Sequence, residues 1–289
     1  MNSSEFTRWF AQSERVVFPP AYRRRPLIMG ILNVTPDSFS DGGRFLERDK
    51  ALQHADDMVA QGADLLDIGG ESSRPGARPV SIDQELTRVI PVIEAFRARA
   101  DIALSIDTCK PEVMRAAVVA GASFINDIQA LQAPGALAEV SRLKVPVCLM
   151  HMQGRPGSMQ VSPSYETGVI SAIQAFFAER IVACVSAGIP RQHLMLDPGF
   201  GFGKTDEQNL LLTKQLLAFQ SHGLPLLFGA SRKSTIGSFL NQNESGRLAG
   251  GLGLAVFAAL QGVSMIRTHD VDVTQQALRM VDAVINVAH

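Results

Sequence analysis

Eight times along the chain a short apolar run ends in a polar residue or a glycine and then gives way to a helical pattern. The runs cover residues 27–32, 64–68, 102–106, 123–125, 145–150, 193–196, 224–228 and 263–266. They lead in turn to Asn33, to Gly69-Gly70-Glu71, to Asp107, to Asn126-Asp127, to His151, to Asp197, to Gly229 and Ser231, and to Arg267. Runs that are short and apolar throughout read as strands buried on both faces. Between them the spacing becomes helical, as in Leu86-Val89-Ile90-Ile93, Ile170-Ile173-Phe177-Ile181-Cys184 and Leu278-Val281-Ile285. Pro111 suits a first helical turn, and Gly62, Gly121, Gly188 and Gly262 suit helix C-caps just before a strand. Eight such units predict an α/β chain folded as a (β/α)8 barrel, which typically takes about 250 residues, rather than an open doubly wound sheet.

No linker or composition shift divides the chain, so a single barrel domain is expected over residues 26–289 after an extension over residues 1–25. At 46% hydrophobic and 19% charged residues a large core is available. A formal net charge of −1 offers no long-range pull on nucleic acid or an anionic membrane, so an anion must be met by a local cluster. The arginines at 23–25 read as a solvated approach to the first strand. No unbroken apolar run reaches the roughly 20 residues of a membrane span, and the first residues lack a signal-peptide core. The 3 Cys have no metal-type spacing and read as reduced thiols packed in a cytoplasmic protein.

Where the polar residues fall decides where function should lie. The working face of such a barrel is at the carboxyl ends of its strands, and Asn33, Glu71, Asp107, Asn126, Asp197, Lys233, Arg267 and His269 all stand there or just beyond. Any one of these could cap a helix. Nearly all eight strand ends supplying a hydrogen-bonding or charged group together points to a site. The Gly203-Lys204-Thr205 ending of the loop from residue 199 is not a phosphate-binding P-loop, because Pro198 occupies the place of its first glycine.

The loop sequences are distinctive. MGILNVTPDSFSDGG at 29–43, DIGGESSRPGA at 67–77, SIDT at 105–108, NDI at 126–128, MHM at 150–152, DPGFGFGK at 197–204, SRKS at 231–234 and RTHD at 267–270 together resemble the bacterial dihydropteroate synthases, in that family's order. Ser73 stands where Thr is more usual, and Ala230 where a larger residue is usual. The resemblance implies a transferase of folate biosynthesis that joins 6-hydroxymethyl-7,8-dihydropterin diphosphate to p-aminobenzoate, giving dihydropteroate and diphosphate. It implies pterin recognition by Asp107, Asn126, Asp197, Lys233 and Arg267. A carboxylate such as Asp197 suits the pterin's paired ring N–H and exocyclic amine, because it only accepts hydrogen bonds. Asp127 is read instead as a capping carboxylate.

The resemblance further implies a diphosphate site of Asn33, Ser73, Arg74, Arg267 and His269, with Asn33 as an oxygen ligand of Mg2+. Asp41 and Arg74, on long loops after the first two strands, would close over the leaving diphosphate, so that Asp41, Arg74, Lys233, Arg267 and His269 form the catalytic set. Phe39, Pro75, Phe202, Ser231 and Lys233 would shape the p-aminobenzoate pocket, where sulfonamide inhibitors would compete. A homodimer is expected. Two other readings share the fold: a corrinoid-type pterin-binding methyltransferase, and a non-catalytic pterin-binding paralogue. The first leaves the diphosphate-directed groups idle, and the second would be expected to have lost a motif.

Overall fold

The computed structural model describes residues 1–12, 25–35, 44–72, 76–77, 79–154, 159 and 163–287. Its elements alternate: α1 (Ser3–Gln12), β1 (Leu27–Asn33), α2 (Arg44–Ala60), β2 (Leu65–Gly69), α3 (Ile82–Arg97), β3 (Ala103–Asp107), α4 (Pro111–Ala120), β4 (Phe124–Asp127), α5 (Ala136–Leu143) and β5 (Val147–Met150). The second half continues with α6 (Val169–Ser186), β6 (Leu194–Asp197), α7 (Asp206–Lys214), α8 (Leu216–Phe219), β7 (Leu227–Phe228), α9 (Ser234–Leu240), α10 (Leu248–Leu260), β8 (Met265–Thr268) and α11 (Val271–Asn286). All the strand pairings are parallel, in the order β6-β5-β4-β3-β2-β1-β8-β7. A parallel bridge between Leu196 and Leu226 joins the two ends, so the eight strands close into the expected barrel. β7 is shorter than its apolar run because Pro225 has no N–H for the ladder; its carbonyl accepts from Leu196 N instead.

The local signals behave as their chemistry requires. Gly62, Gly121, Gly188 and Gly262 all have positive φ, and Pro111 opens α4. In α3, Val89 and Ile93 are buried, and in α6 so are Ile173, Phe177, Ile181 and Cys184. The third stripe fails at its end, where Ile285 is 40% exposed on the last turn of α11. Among the described residues α6 is long and apolar enough to cross a membrane by length and composition alone; here one of its faces packs on the barrel.

Side chains alternate along a strand, and in this barrel the alternation sorts the chemistry. One parity (Ile28, Leu66, Leu104, Ile125, Leu149, Leu196, Phe228 and Ile266) faces the helices in the main core. The other parity (Met29, Leu65, Ala103, Phe124, Cys148, Met195, Leu227 and Met265) fills the lower part of the barrel. The expected extension contributes here. Phe6 and Phe10 of α1 are buried in this lower cluster, with Phe6 edge-on to Phe124 at 5.5 Å between ring centres, and Met1 O accepts from Ala103 N. Arg25, the last of the arginine run, is not free in solvent but pairs with both Asp64 oxygens, at 2.7 and 3.0 Å.

Candidate active site

Two residues further along the inward-facing register of β2, β3, β4, β6 and β8, the apolar floor becomes polar. Leu65 is followed by Asp67, Ala103 by Ser105 and Asp107, Phe124 by Asn126, Met195 by Asp197, and Met265 by Arg267 and His269. The sheet register thus converts positions far apart in sequence into one rim at the strands' carboxyl ends. Asn33 is part of it: its Oδ1 and Asp107 Oδ2 would each lie 3.7 Å from a Cβ added to Gly69. Asp127 has the opposite parity and points away from the mouth. It accepts from the Gln129 and Leu131 N–H groups at 2.7 and 2.8 Å and so holds the turn after β4; the helix cap expected of it is not made, because Gly135 stands at the start of α5.

Arg267 organises the centre. Its Nε donates to Asp67 Oδ2 and its Nη2 to Asp107 Oδ2, both at 2.7 Å, and Asn126 Nδ2 donates to Asp67 Oδ2 at 2.9 Å. Asp67 is fully buried, and its other oxygen has no partner among the described residues. Asp67 is a site residue to which the sequence reading gave no role; a carboxylate inside an apolar strand was the available signal. Burial pushes Asp107 up to about 7, opposed by Arg267 and reinforced by Asp67. Burial also lifts Asp197 to about 6, against the Gly199 N–H, Lys204, Lys233 and Arg267. Burial alone would lower the Arg267 pKa, but Asp67 and Asp107 outweigh it and hold the guanidinium firmly charged.

On the β6–β7 side, Lys233 precedes α9 and its Nζ sits 3.8 Å from the centre of the Phe202 ring, a cation–π contact. Ser231, expected in the p-aminobenzoate pocket, turns its hydroxyl to His269: Oγ lies 3.0 Å from Nδ1 and accepts from His269 N at 3.2 Å. The β7 and β8 loops are thereby joined, and Arg232 reinforces them by pairing with Asp270 at 2.6 Å. Glu71 pairs with Lys110, which also meets the buried Glu85, at the base of the loop after β2. Beside Asp107 opens a cavity of about 800 Å³ lined by Glu71, Lys110, Ile128, Met150, Met152 and Phe176 among others. Phe39, Asp41, Ser73, Arg74 and Pro75 lie outside the described residues, so Asn33, Asp107, Asn126, Asp197, Phe202, Ser231, Lys233, Arg267 and His269 are the expected residues gathered here.

The chain matches the family model described as "Pterin binding enzyme" over residues 29–269. It is 51% identical over 261 residues to the dihydropteroate synthase of Escherichia coli strain K12, covering 90% of this chain and 92% of that one. The chain belongs to the dihydropteroate synthases. It is accordingly a transferase of folate biosynthesis. Among solved relatives, the Yersinia pestis dihydropteroate synthase in a sulfonamide drug complex superposes with a TM-score of 0.87 at 51% identity, covering 91% of this chain and 95% of that one. The Xanthomonas albilineans dihydropteroate synthase with 4-aminobenzoic acid gives 0.86 at 48% identity, over 92% and 95%. The corrinoid-methyltransferase and non-catalytic readings have no such support.

Proposed function

We propose that the barrel mouth joins 6-hydroxymethyl-7,8-dihydropterin diphosphate to p-aminobenzoate, with the pterin held between Asp197, Asn126 and Asp107. The observation that carries this reading is the convergence of Asp67, Asp107 and Asn126 on Arg267 across β2, β3, β4 and β8. Asp197 has one oxygen engaged by Gly199 N–H and, when ionised, accepts from the pterin's paired donors with its carboxylate. Asn126, one amide hydrogen fixed on an acceptor-only carboxylate, presents its carbonyl oxygen in a defined orientation. Arg267 lies beside the ring, while His269, braced by Ser231, receives diphosphate oxygens with Arg267. Breaking the methylene–oxygen bond leaves electrons on diphosphate and a cation on the pterin methylene. The neutral arylamine then donates its lone pair to that carbon and loses a proton, so no strong base is required.

Phe202 and Lys233 form the wall on which p-aminobenzoate lies, with the Lys233 ammonium near its carboxylate. Asp41 and Arg74, with Phe39, Ser73 and Pro75, are proposed to complete the diphosphate and p-aminobenzoate sites from their loops. Mg2+ takes oxygen donors and keeps several waters, and Asn33 Oδ1, on the rim beside Asp107, would contribute one oxygen to it. When bound, the ion would neutralise charge on the departing diphosphate.

A homodimer and a cytoplasmic setting complete the proposal. α10 is apolar all round, yet Leu248, Phe257 and Leu260 are exposed, beside exposed Phe239 and Leu240 of α9; a second copy of this chain would cover them. The three cysteines are free thiols, as a reducing compartment allows.

Two results are expected. A sulfonamide should compete with p-aminobenzoate and not with the pterin diphosphate in steady-state kinetics; competition against the pterin would place the drug, and the second substrate, elsewhere. Because Asp197 must be ionised to accept from the pterin, kcat/KM for the pterin diphosphate should fall as pH drops through about 6, the value to which burial lifts this carboxyl. A flat profile from pH 8 to 5 contradicts its role.

A further inference from the structure

Lys204 lies beside the mouth, yet the reaction above gives it no task. It is 2% exposed. Its Nζ is 2.9 Å from Gly199 O, 3.0 Å from Phe202 O and 3.1 Å from His151 Nδ1, with His151 O at 3.4 Å. Burial, reinforced by Lys204 itself, drives the His151 pKa down to about 3, so the ring is neutral, and in the tautomer with its proton on Nε2 its Nδ1 accepts from Lys204. Every partner is then an acceptor, which matches an ammonium with three donors; a neutral amine would turn its lone pair toward a carbonyl oxygen. Burial draws Lys204 down to about 7, Asp197 pulls it up, and Lys233 adds to the fall.

The loop around this amine has little freedom. It leaves β6 at Asp197, whose carbonyl accepts from His151 N at 2.9 Å and whose carboxylate accepts from Gly199 N at 2.8 Å. At Gly199, with φ +70°, an added Cβ would stand 1.9 Å from His151 O; at Gly203 it would stand 2.5 Å from Gln153 O. The loop backbone therefore lies directly against the segment after β5, too close for any side chain, and the ammonium passes hydrogen bonds through that contact. Phe202, held by its own carbonyl, carries Lys233 on its ring.

We propose that Lys204 is a positioning residue: it ties the loop at 199–203 to the segment after β5, holds Asp197 in its pterin-binding geometry beside its own ammonium, and sets Phe202 under Lys233. This rests on the reading of the mouth given above. The test compares wild type with Lys204→Met and Lys204→Gln, measuring pterin diphosphate affinity by calorimetry and kcat/KM for each substrate against pH. Lys204→Met should weaken pterin diphosphate binding about tenfold or more, the scale of a lost charged hydrogen-bond set. It should also move the acid limb upward, because Asp197 is left facing Lys233 and Arg267 as its cations, with the Cys148 thiol neutral beside it. Lys204→Gln keeps a donor for the carbonyls without the charge, so it should recover part of the affinity and retain the displaced limb. A purely structural lysine would lower the denaturation midpoint in both variants while the folded fraction kept wild-type affinity and the wild-type limb; that result overturns the proposal. Should Lys204→Met fail to fold, wild-type affinity and limb in Lys204→Gln alone overturn it. Failure of the underlying reading looks different: wild type itself would make no dihydropteroate.

Discussion

Arg267→Ala should lose at least about 10²–10³ in kcat, the range for removing one preorganised charge-stabilising donor. The same side chain holds the pterin side of the mouth together through Asp67 and Asp107, at 2.7 Å each. Without it the buried Asp67 keeps only Asn126 as a partner and the half-buried Asp107 loses its guanidinium, so stability should fall by about 3–5 kcal/mol as well, the usual consequence of stranding a buried charge. Lowering pH should restore part of that stability, since Asp107 takes its proton readily, but not the activity. Arg267→Lys separates the effects: a single ammonium can neutralise one carboxylate but cannot bridge two with a planar fork, so it should regain stability more than turnover. Diphosphate release and urea denaturation on the three proteins check this, and an Arg267→Ala enzyme with wild-type kcat would remove Arg267 from the reaction.

The second large effect belongs to the other end of the barrel. Phe6→Ala should lower stability by about 3–5 kcal/mol, because its ring is wholly buried against Phe124 and Phe10 beneath the strands. Removing residues 1–12 should cost more, by exposing the whole apolar floor. The mouth lies at the strands' opposite ends, so kcat per folded molecule should hold. Unchanged denaturation midpoints in both proteins would mean that α1 does not occupy the floor in solution.

These two effects also mark what could be read before folding. The strands were legible because burial on both faces makes them solidly apolar, and the mouth because the register places polar ends together. The role of α1 was less visible: Phe6, Trp9 and Phe10 have helical spacing, but an amphipathic stripe does not say which surface it will cover. The task of Asp67 is hidden in the sequence, since its partner Arg267 lies 200 positions away and only barrel closure brings the two together. Lys204 looked like the tail of a failed P-loop; its meaning depends on carbonyl oxygens, which sequence does not display. Ser231 was assigned by resemblance to one pocket, and its hydroxyl turned out to brace His269, a contact between the loops after β7 and β8 that no spacing encodes. Asp41 and Arg74, to which the motifs alone point, lie outside the described residues.

The central claim is most directly tested by mixing the purified protein with Mg2+, 6-hydroxymethyl-7,8-dihydropterin diphosphate and p-aminobenzoate, and following diphosphate and dihydropteroate together. The account predicts the two products in equal amounts, with turnover lost in folded Asp197→Ala and Lys233→Ala. Folded wild-type protein yielding neither product above background, or either variant at full activity, would contradict it.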